Sequence, residues 1–437
     1  MNEIQHETIE QFETGCIVVG GGPAGMMLGF LLARAGIDVV VLEKHADFLR
    51  DFRGDTLHPS TMEIMHELGL LDELLRLPHQ QAERLAVIID GQKFAGPDFT
   101  HLPTRAKFVA LMPQWDFLNF LERHARSYPN FQLRMRTEAI DLLEESGRVV
   151  GVRARGPDGT CDLRAPLVVG TDGRHSTVRA RSGLPLVDHG VPIDVLWFRV
   201  PKEEDTSAEE KSPALGRIQG DQLLVMLDRG DYYQCGFLIR KGEFDEIKAR
   251  GLEALRANVV QLAPPVTRTI AAIDDWDKVK LLTVQVNRLT RWYRPGLLCI
   301  GDAAHAMSPA GGVGVNLAIQ DAVATANLLA EPLRQGQVTE DDLRRVQQRR
   351  ELPVRVIQAL QVFIHRRMFG QPGHSPLFQM PWPAAKLLKL FAPLLRRVAA
   401  RLIGIGIRAE HVAPSASTSN SISRMERSGI EHAAVGE

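Results

Sequence analysis

Gly20, Gly22 and Gly25 stand in the run Cys16-Ile17-Val18-Val19-Gly20-Gly21-Gly22-Pro23-Ala24-Gly25, with the spacing of a phosphate cradle. Gly20 lets the chain leave a strand in a sharp turn, Gly22 lets the backbone come close to a diphosphate, and Gly25 lets the next helix pack on the sheet. The free N–H groups at that helix start, with Pro23 and Ala24 in its first turn, favour negative charge. Glu43, followed by Lys44, closes the apolar run Val39-Val40-Val41-Leu42. It lies about 20 residues on, where a carboxylate accepts hydrogen bonds from a ribose. A carboxylate there repels a 2′-phosphate, so the unit suits FAD or NAD and not NADP.

A second patch, Gly296-Leu297-Leu298-Cys299-Ile300-Gly301-Asp302-Ala303-Ala304-His305, narrows the choice to FAD. It again reads strand, tight turn and helix start, and Pro309, Gly312, Gly314, Val315 and Asn316 follow it into a long apolar-periodic helix. Asp302 suits ribityl hydroxyls. The amides from Gly312 to Asn316 would face the flavin and stabilise negative charge on the reduced ring. His305 reads as a helix-end residue and not as an acid or base, because nearness to a flavin supplies no proton-transfer geometry.

The third patch, Val168-Val169-Gly170-Thr171-Asp172-Gly173-Arg174-His175-Ser176-Thr177-Val178-Arg179, lies between the other two. With it the chain resembles the group A flavoprotein monooxygenases, the family of the para-hydroxybenzoate and phenol hydroxylases, over about the first 345 residues. The resemblance implies that Gly20, Gly22, Gly25 and Glu43 bind the cofactor, that Asp172 and Gly173 serve both FAD and NAD(P)H, and that Gly301, Asp302 and the loop Pro309 to Asn316 lie beside the isoalloxazine. Arg53 matches the family's arginine after the ribose acid, and Gln114 its polar residue at a helix start. It also implies noncovalent FAD, NADH or NADPH as a transient co-substrate without a Rossmann unit of its own, and dioxygen. The activity implied is hydroxylation of an aromatic or other electron-rich hydrophobic small molecule through a C4a-hydroperoxyflavin. A reductase of the prenyl-reductase type would keep all three FAD patches, and a non-catalytic flavoprotein is a further alternative. A flavin halogenase is disfavoured, since no G-W-x-W-x-I-P stretch is present.

The elements that must position these residues form an α/β fold, a Rossmann-type FAD-binding domain with an interleaved β-sheet substrate domain and C-terminal helices. The FAD domain is expected over 14–82, 113–186 and 287–345, and the substrate domain over 83–112 and 187–286. The latter should contain a hairpin around Asp90-Gly91, a strand Phe108 to Met112, strands Val195 to Val200, Gln222 to Leu227, Tyr232 to Ile239 and Leu281 to Val286, and one helix from Glu243 to Leu262. Trp197, Arg199, Met226 and Phe237 are candidate pocket positions, half of which must face away. An inward Arg199, Arg217 or Arg240 would favour a small aromatic acid, and a largely apolar sheet a hydrophobic ring.

Beyond Leu333 the chain reads as helical, including Thr339 to Phe369 with Thr339 and Asp342 as a capping box and Pro353 as a kink or break; 346–410 form the C-terminal helical region and 411–437 a disordered tail. Trp382 to Arg408 is Leu-rich and basic. It can lie on a membrane surface, but packing on the FAD domain with its basic face in water is the favoured reading, Pro393 interrupting the stripe. The 437 residues are 44% hydrophobic with formal net charge -1, which suits two domains and offers no case for nucleic acid. Four separated cysteines, the absence of a basic leader and the absence of a spanning apolar run point to a cytoplasmic protein. A lone Glu63-x-x-His66 is too little for a metal site.

Overall fold

The computed structural model describes residues 10–49, 56–203, 214–369 and 382–414. A six-stranded sheet runs in the order Tyr293–Arg294, Leu297–Cys299, Val168–Gly170, Cys16–Val19, Val39–Leu42, Phe131–Arg134, and every pair except the first is parallel. Its four central strands are buried along their whole length, as their continuous runs without polar side chains suit strands covered on both faces. Helices Pro23–Arg34 and Gly314–Arg334 pack together against it. Ala310–Arg334 is long and apolar enough to cross a bilayer, but 72% of its 18-residue apolar window is buried inside the protein, as in a core helix.

A second, seven-stranded sheet runs in the order Lys280–Leu282, Ile193–Pro201, Tyr232–Arg240, Gln222–Asp228, Ala214–Gln219, Arg84–Ile89, Gln92–Asp98. The last two strands form the hairpin, turned by Asp90 and Gly91 at φ 47 and 79. One face of this sheet packs on helix Leu252–Leu262 through Leu224, Met226, Cys235, Phe237 and Phe198. The expected single helix is two, because Gly251 at φ 89 separates Phe244–Arg250 from Leu252–Leu262. Val109–Leu111 joins a separate three-stranded sheet with Thr56–Leu57 and Gln80–Ala82. Instead of one strand Leu281 to Val286, there are Lys280–Leu282 and Asn287–Leu289, which belong to different sheets.

The capping box closes reciprocally, Thr339 N–H donating to Asp342 and Asp342 N–H to Thr339 Oγ1. Helix Glu340–Phe369 continues through Pro353, and helix Trp382–Gly404 through Pro393. Residues 411–414 are pinned: Val412 N–H donates to Glu67, and Ala413 N–H to Asn327 Oδ1. The expected tail beyond 414 lies outside the described residues.

Candidate active site

The three motifs meet because their strands are neighbours in one register. Val19 stands opposite Leu42 on one side and Gly170 on the other, and Gly170 stands opposite Cys299. The residues that follow, Gly20, Glu43, Thr171 and Ile300, therefore leave the sheet side by side at its carboxyl edge, where open α/β sheets hold ligands.

Gly25 is fixed by close approach. A Cβ there would stand 1.9 Å from Gly20 O and 2.7 Å from Thr171 Oγ1. Thr171 in turn donates to the Val19 and Gly20 carbonyls at 2.8 Å, tying the first and third motifs together. Gly22 is the opposite case. Its backbone is extended at φ -75 and ψ -174, open to any residue, and no protein atom lies within 4 Å of where a Cβ would be. Gly314 likewise meets nothing within 4 Å. Both glycines begin helices whose first turns have no side-chain cap, so their amides remain without a helical partner. Two uncapped helix starts with vacant space above a glycine fit the phosphates and ring edge of a dinucleotide.

Glu43 is buried, and its carboxylate accepts Gly21 N–H and His45 N–H, each at 3.0 Å. It braces the glycine turn as well as standing where a ribose would. Lys44 beside it is exposed. Asp172 accepts from Ser176 Oγ and from Val178 N–H at 3.1 Å, capping helix Thr177–Ser182. Burial raises its pKa above the ordinary carboxylate value, partly offset by those donors. Gly173 follows at φ 84. Arg179 donates to the Asp302 and Ala303 carbonyls at 3.1 Å, joining the third motif to the second. The Asp302 side chain is 33% exposed, with Arg174 at 4.0 Å, and so has capacity for ligand hydroxyls.

Asn316 is consumed by the fold. Its Oδ1 accepts His58 N–H at 2.8 Å and the Thr61 hydroxyl at 2.6 Å, and its amide reaches the Thr56 and Gly312 carbonyls at 3.3 Å. Only its backbone N–H, with those of Gly314 and Val315, is left at the helix start. Before that start, Pro309 lies in a loop that helix Glu340–Phe369 clamps. Gln358 donates to Ala306 O at 3.0 Å, Gln361 to Ser308 O and Ala310 O at 3.0 and 2.9 Å, and His365 Nε2 meets Ser308 Oγ at 3.2 Å.

Under the second motif lies a buried charged network. Asp321 accepts Gly301 N–H at 3.1 Å, His305 Nε2 at 2.6 Å and Arg350 Nε at 2.9 Å, and Arg350 continues to Glu410 at 3.2 Å. Burial raises the Asp321 pKa, but His305 and Arg350 outweigh it and hold the carboxyl below its usual value. His305 is thus a buried structural partner, 2% exposed.

Gln114 is half-buried at the start of helix Gln114–Ala125, away from the three motifs in sequence but on a helix packed against Pro23–Arg34. Arg53 lies outside the described residues. The register decides which half of the four pocket candidates faces away: Met226 stands opposite Cys235 and Phe237 opposite Leu224, on the face under helix Leu252–Leu262. Trp197 and Arg199 project from the other face. Sequence reasoning missed Asp321, Arg350, Gln358, Gln361 and His365. Polar residues repeating at helical spacing among Val354, Ile357 and Val362 were the available signal.

Residues 13–359 match the family model described as FAD binding domain. The chain is 32% identical over 398 residues to 6-methylpretetramide 4-monooxygenase of Streptomyces rimosus, covering 89% of this chain and 92% of that protein. It is 26% identical over 333 residues to para-nitrophenol 4-monooxygenase of a Pseudomonas species, covering 75% and 80%. The crystal structure of p-nitrophenol 4-monooxygenase from Pseudomonas putida superposes with TM-score 0.73 at 22% identity, over 90% of this chain and 97% of that one.

Proposed function

The chain belongs to the FAD binding domain family and is an FAD-dependent monooxygenase, and on that premise we propose that it hydroxylates an uncharged, flat, fused-ring aromatic compound laid across the inner face of the seven-stranded sheet. One row of that sheet carries the reading. Val87, Gly216, Val225, Gly236 and Trp197 stand in register across five strands, on the face away from helix Leu252–Leu262. A Cβ on Gly216 would meet only Val87 carbons at 3.7 Å, an ordinary contact, so the protein itself does not require glycine there. The Trp197 ring lies over Gly236, 3.1 Å from where its Cβ would be. Strand glycines weaken a sheet and mark places where another molecule comes close. Val225, Leu223, Leu238 and Trp197 are only half-buried, whereas Leu224, Met226, Cys235 and Phe237 on the opposite face are buried.

Of the three candidate arginines, Arg199 and Arg240 share the face of Trp197 and Gly236, each with a partner of its own, and Arg217 does not share it. Arg217 stands opposite Leu224, on the helix-covered face. Arg199 is exposed with its guanidinium over Tyr232, and Arg240 is 3.8 Å from Asp221.

In this reading the amides of Gly22, Ala24 and Gly25 hold the diphosphate, with Gly20 and Pro23 shaping the turn. Glu43, Lys44 and Arg53 serve the adenosine half, and Gln114, Asp172, Gly173, Gly301 and Asp302 the ribityl and diphosphate region. Pro309, Gly312, Gly314, Val315 and Asn316 line the ring. Bound FAD supplies the redox chemistry, taking reducing equivalents from NADH or NADPH and passing them to dioxygen. The chain orients the substrate ring, excludes water with the apolar sheet, and places helix-start amides where negative charge develops.

The test offers 6-methylpretetramide and p-nitrophenol separately to the purified holoenzyme. Faster NAD(P)H oxidation with hydroxylated product from the fused-ring phenol is expected, and Gly216→Ala should raise its KM while sparing flavin content. Turnover of p-nitrophenol alone would overturn the fused-ring reading.

A further inference from the structure

We propose that helix Trp382–Gly404 docks this enzyme on a bilayer surface rich in anionic lipid. From Leu352 to Ala409 the chain has 9 Lys or Arg and no Asp or Glu. With a net charge of -1 overall, the rest of the molecule sums to -10. Such a separation leaves this stretch of chain strongly basic against an acidic remainder.

Four large apolar side chains of this helix face solvent, where the expectation put its basic face in water. Phe391, Leu394, Leu395 and Val398 are 48%, 58%, 45% and 56% exposed. Their spacing of three, four and seven puts them on one face. The side held to the protein is made by Ala400, Ile403 and Gly404, the last at the Phe99 and Leu102 side chains. Arg397 and Arg401 are exposed beside the stripe.

Charge decides the occupant. A second copy would bring two strongly positive surfaces together, which is repulsive. A nucleic acid would use the arginines but leave Phe391, Leu394, Leu395 and Val398 in water. An anionic leaflet takes both: the apolar side chains enter the headgroup boundary and the arginines meet the phosphates.

The experiment sediments the full-length holoenzyme with vesicles of phosphatidylcholine alone, or with about one third phosphatidylglycerol, an anionic fraction sufficient to attract basic segments. Binding to the second, weakening as salt rises, is expected. Leu394→Ser with Val398→Ser should lower the partition about 100-fold, and Arg397→Gln with Arg401→Gln about 30-fold. Both double variants should keep full flavin content and NAD(P)H oxidation. Absence of sedimentation, or equal sedimentation of wild type and Leu394→Ser/Val398→Ser, overturns the proposal. A dimer by light scattering that the same variant abolishes, without vesicle binding, gives the face to a second copy. Retention on DNA without vesicle binding overturns it as well.

Discussion

Replacing Gly22 and Gly25 with alanine, one at a time, should separate holding the cofactor from holding the fold. In Gly25→Ala the new methyl would sit 1.9 Å from the Gly20 carbonyl oxygen, a backbone atom that cannot swing aside. Helix Pro23–Arg34 must move off the sheet, at a cost of more than about 3 kcal/mol. In Gly22→Ala the methyl meets no protein atom within 4 Å, and the φ of -75 is one that alanine adopts freely. The apoprotein should keep its stability or gain about 0.4–1 kcal/mol from a less flexible unfolded chain. The same methyl occupies the space assigned to the diphosphate. Losing one or two amide hydrogen bonds to that charged group, at about 1.5–3 kcal/mol each, should raise the FAD Kd by about 10- to 100-fold or more. Urea unfolding of both apoproteins reads the stability, and titration of apoprotein with FAD, followed by flavin fluorescence quenching, reads the Kd. A Gly22→Ala protein with an unchanged Kd, or one destabilised as much as Gly25→Ala, would refute the reasoning.

Other outcomes follow from the same geometry. Asp302→Ala should raise the FAD Kd by about 10- to 100-fold through a lost charge-assisted hydrogen bond, whereas Glu63→Ala, whose carboxylate accepts only Arg105 N–H among the described residues, should not; equal flavin retention after dialysis would remove Asp302 from the site. Arg350→Met strands Asp321 and Glu410 without their shared guanidinium and should cost about 3–5 kcal/mol in urea unfolding, with a double-mutant cycle against Asp321→Asn showing coupling; strict additivity would contradict the network. Burial lowers the His58 pKa from 6.5 to about 4, opposed by its bond to Ile403 O at 2.7 Å. The unfolded chain therefore takes the proton first, and stability should fall by about 3 kcal/mol as pH drops from 6.5 to 4. His58→Asn should flatten that part of the curve, and an unchanged slope would show that His58 is not its source.

How far the sequence could be read depended on whether partners were local. The glycine motifs were legible because turn, helix start and acidic strand end all fall within one βαβ unit, and the Asp90-Gly91 hairpin because its turn residues fix both strands. Asp321, Arg350 and Glu410 were not legible, since the charged groups that satisfy one another are 29 and 60 residues apart, and a lone buried charge has no sequence signature. Asp172 matched a motif by type, yet its carboxylate turned out to cap the helix that follows it. Which half of Trp197, Arg199, Met226 and Phe237 faces away was not legible, because side-chain parity depends on register, and a one-residue shift moves a whole strand to the other face. Helix Trp382–Gly404 misled for the reverse reason: its amphipathic pattern was plain, but which face meets the protein is set by Gly404 at Phe99 and Leu102.

The most direct test of monooxygenation is turnover under labelled dioxygen, with the holoenzyme, NAD(P)H and a fused-ring phenol, and mass spectrometry of the product. One labelled oxygen atom per product molecule, with no turnover under strict exclusion of oxygen, is the predicted result. A reduced product formed equally well without oxygen, carrying no label, would contradict the assignment.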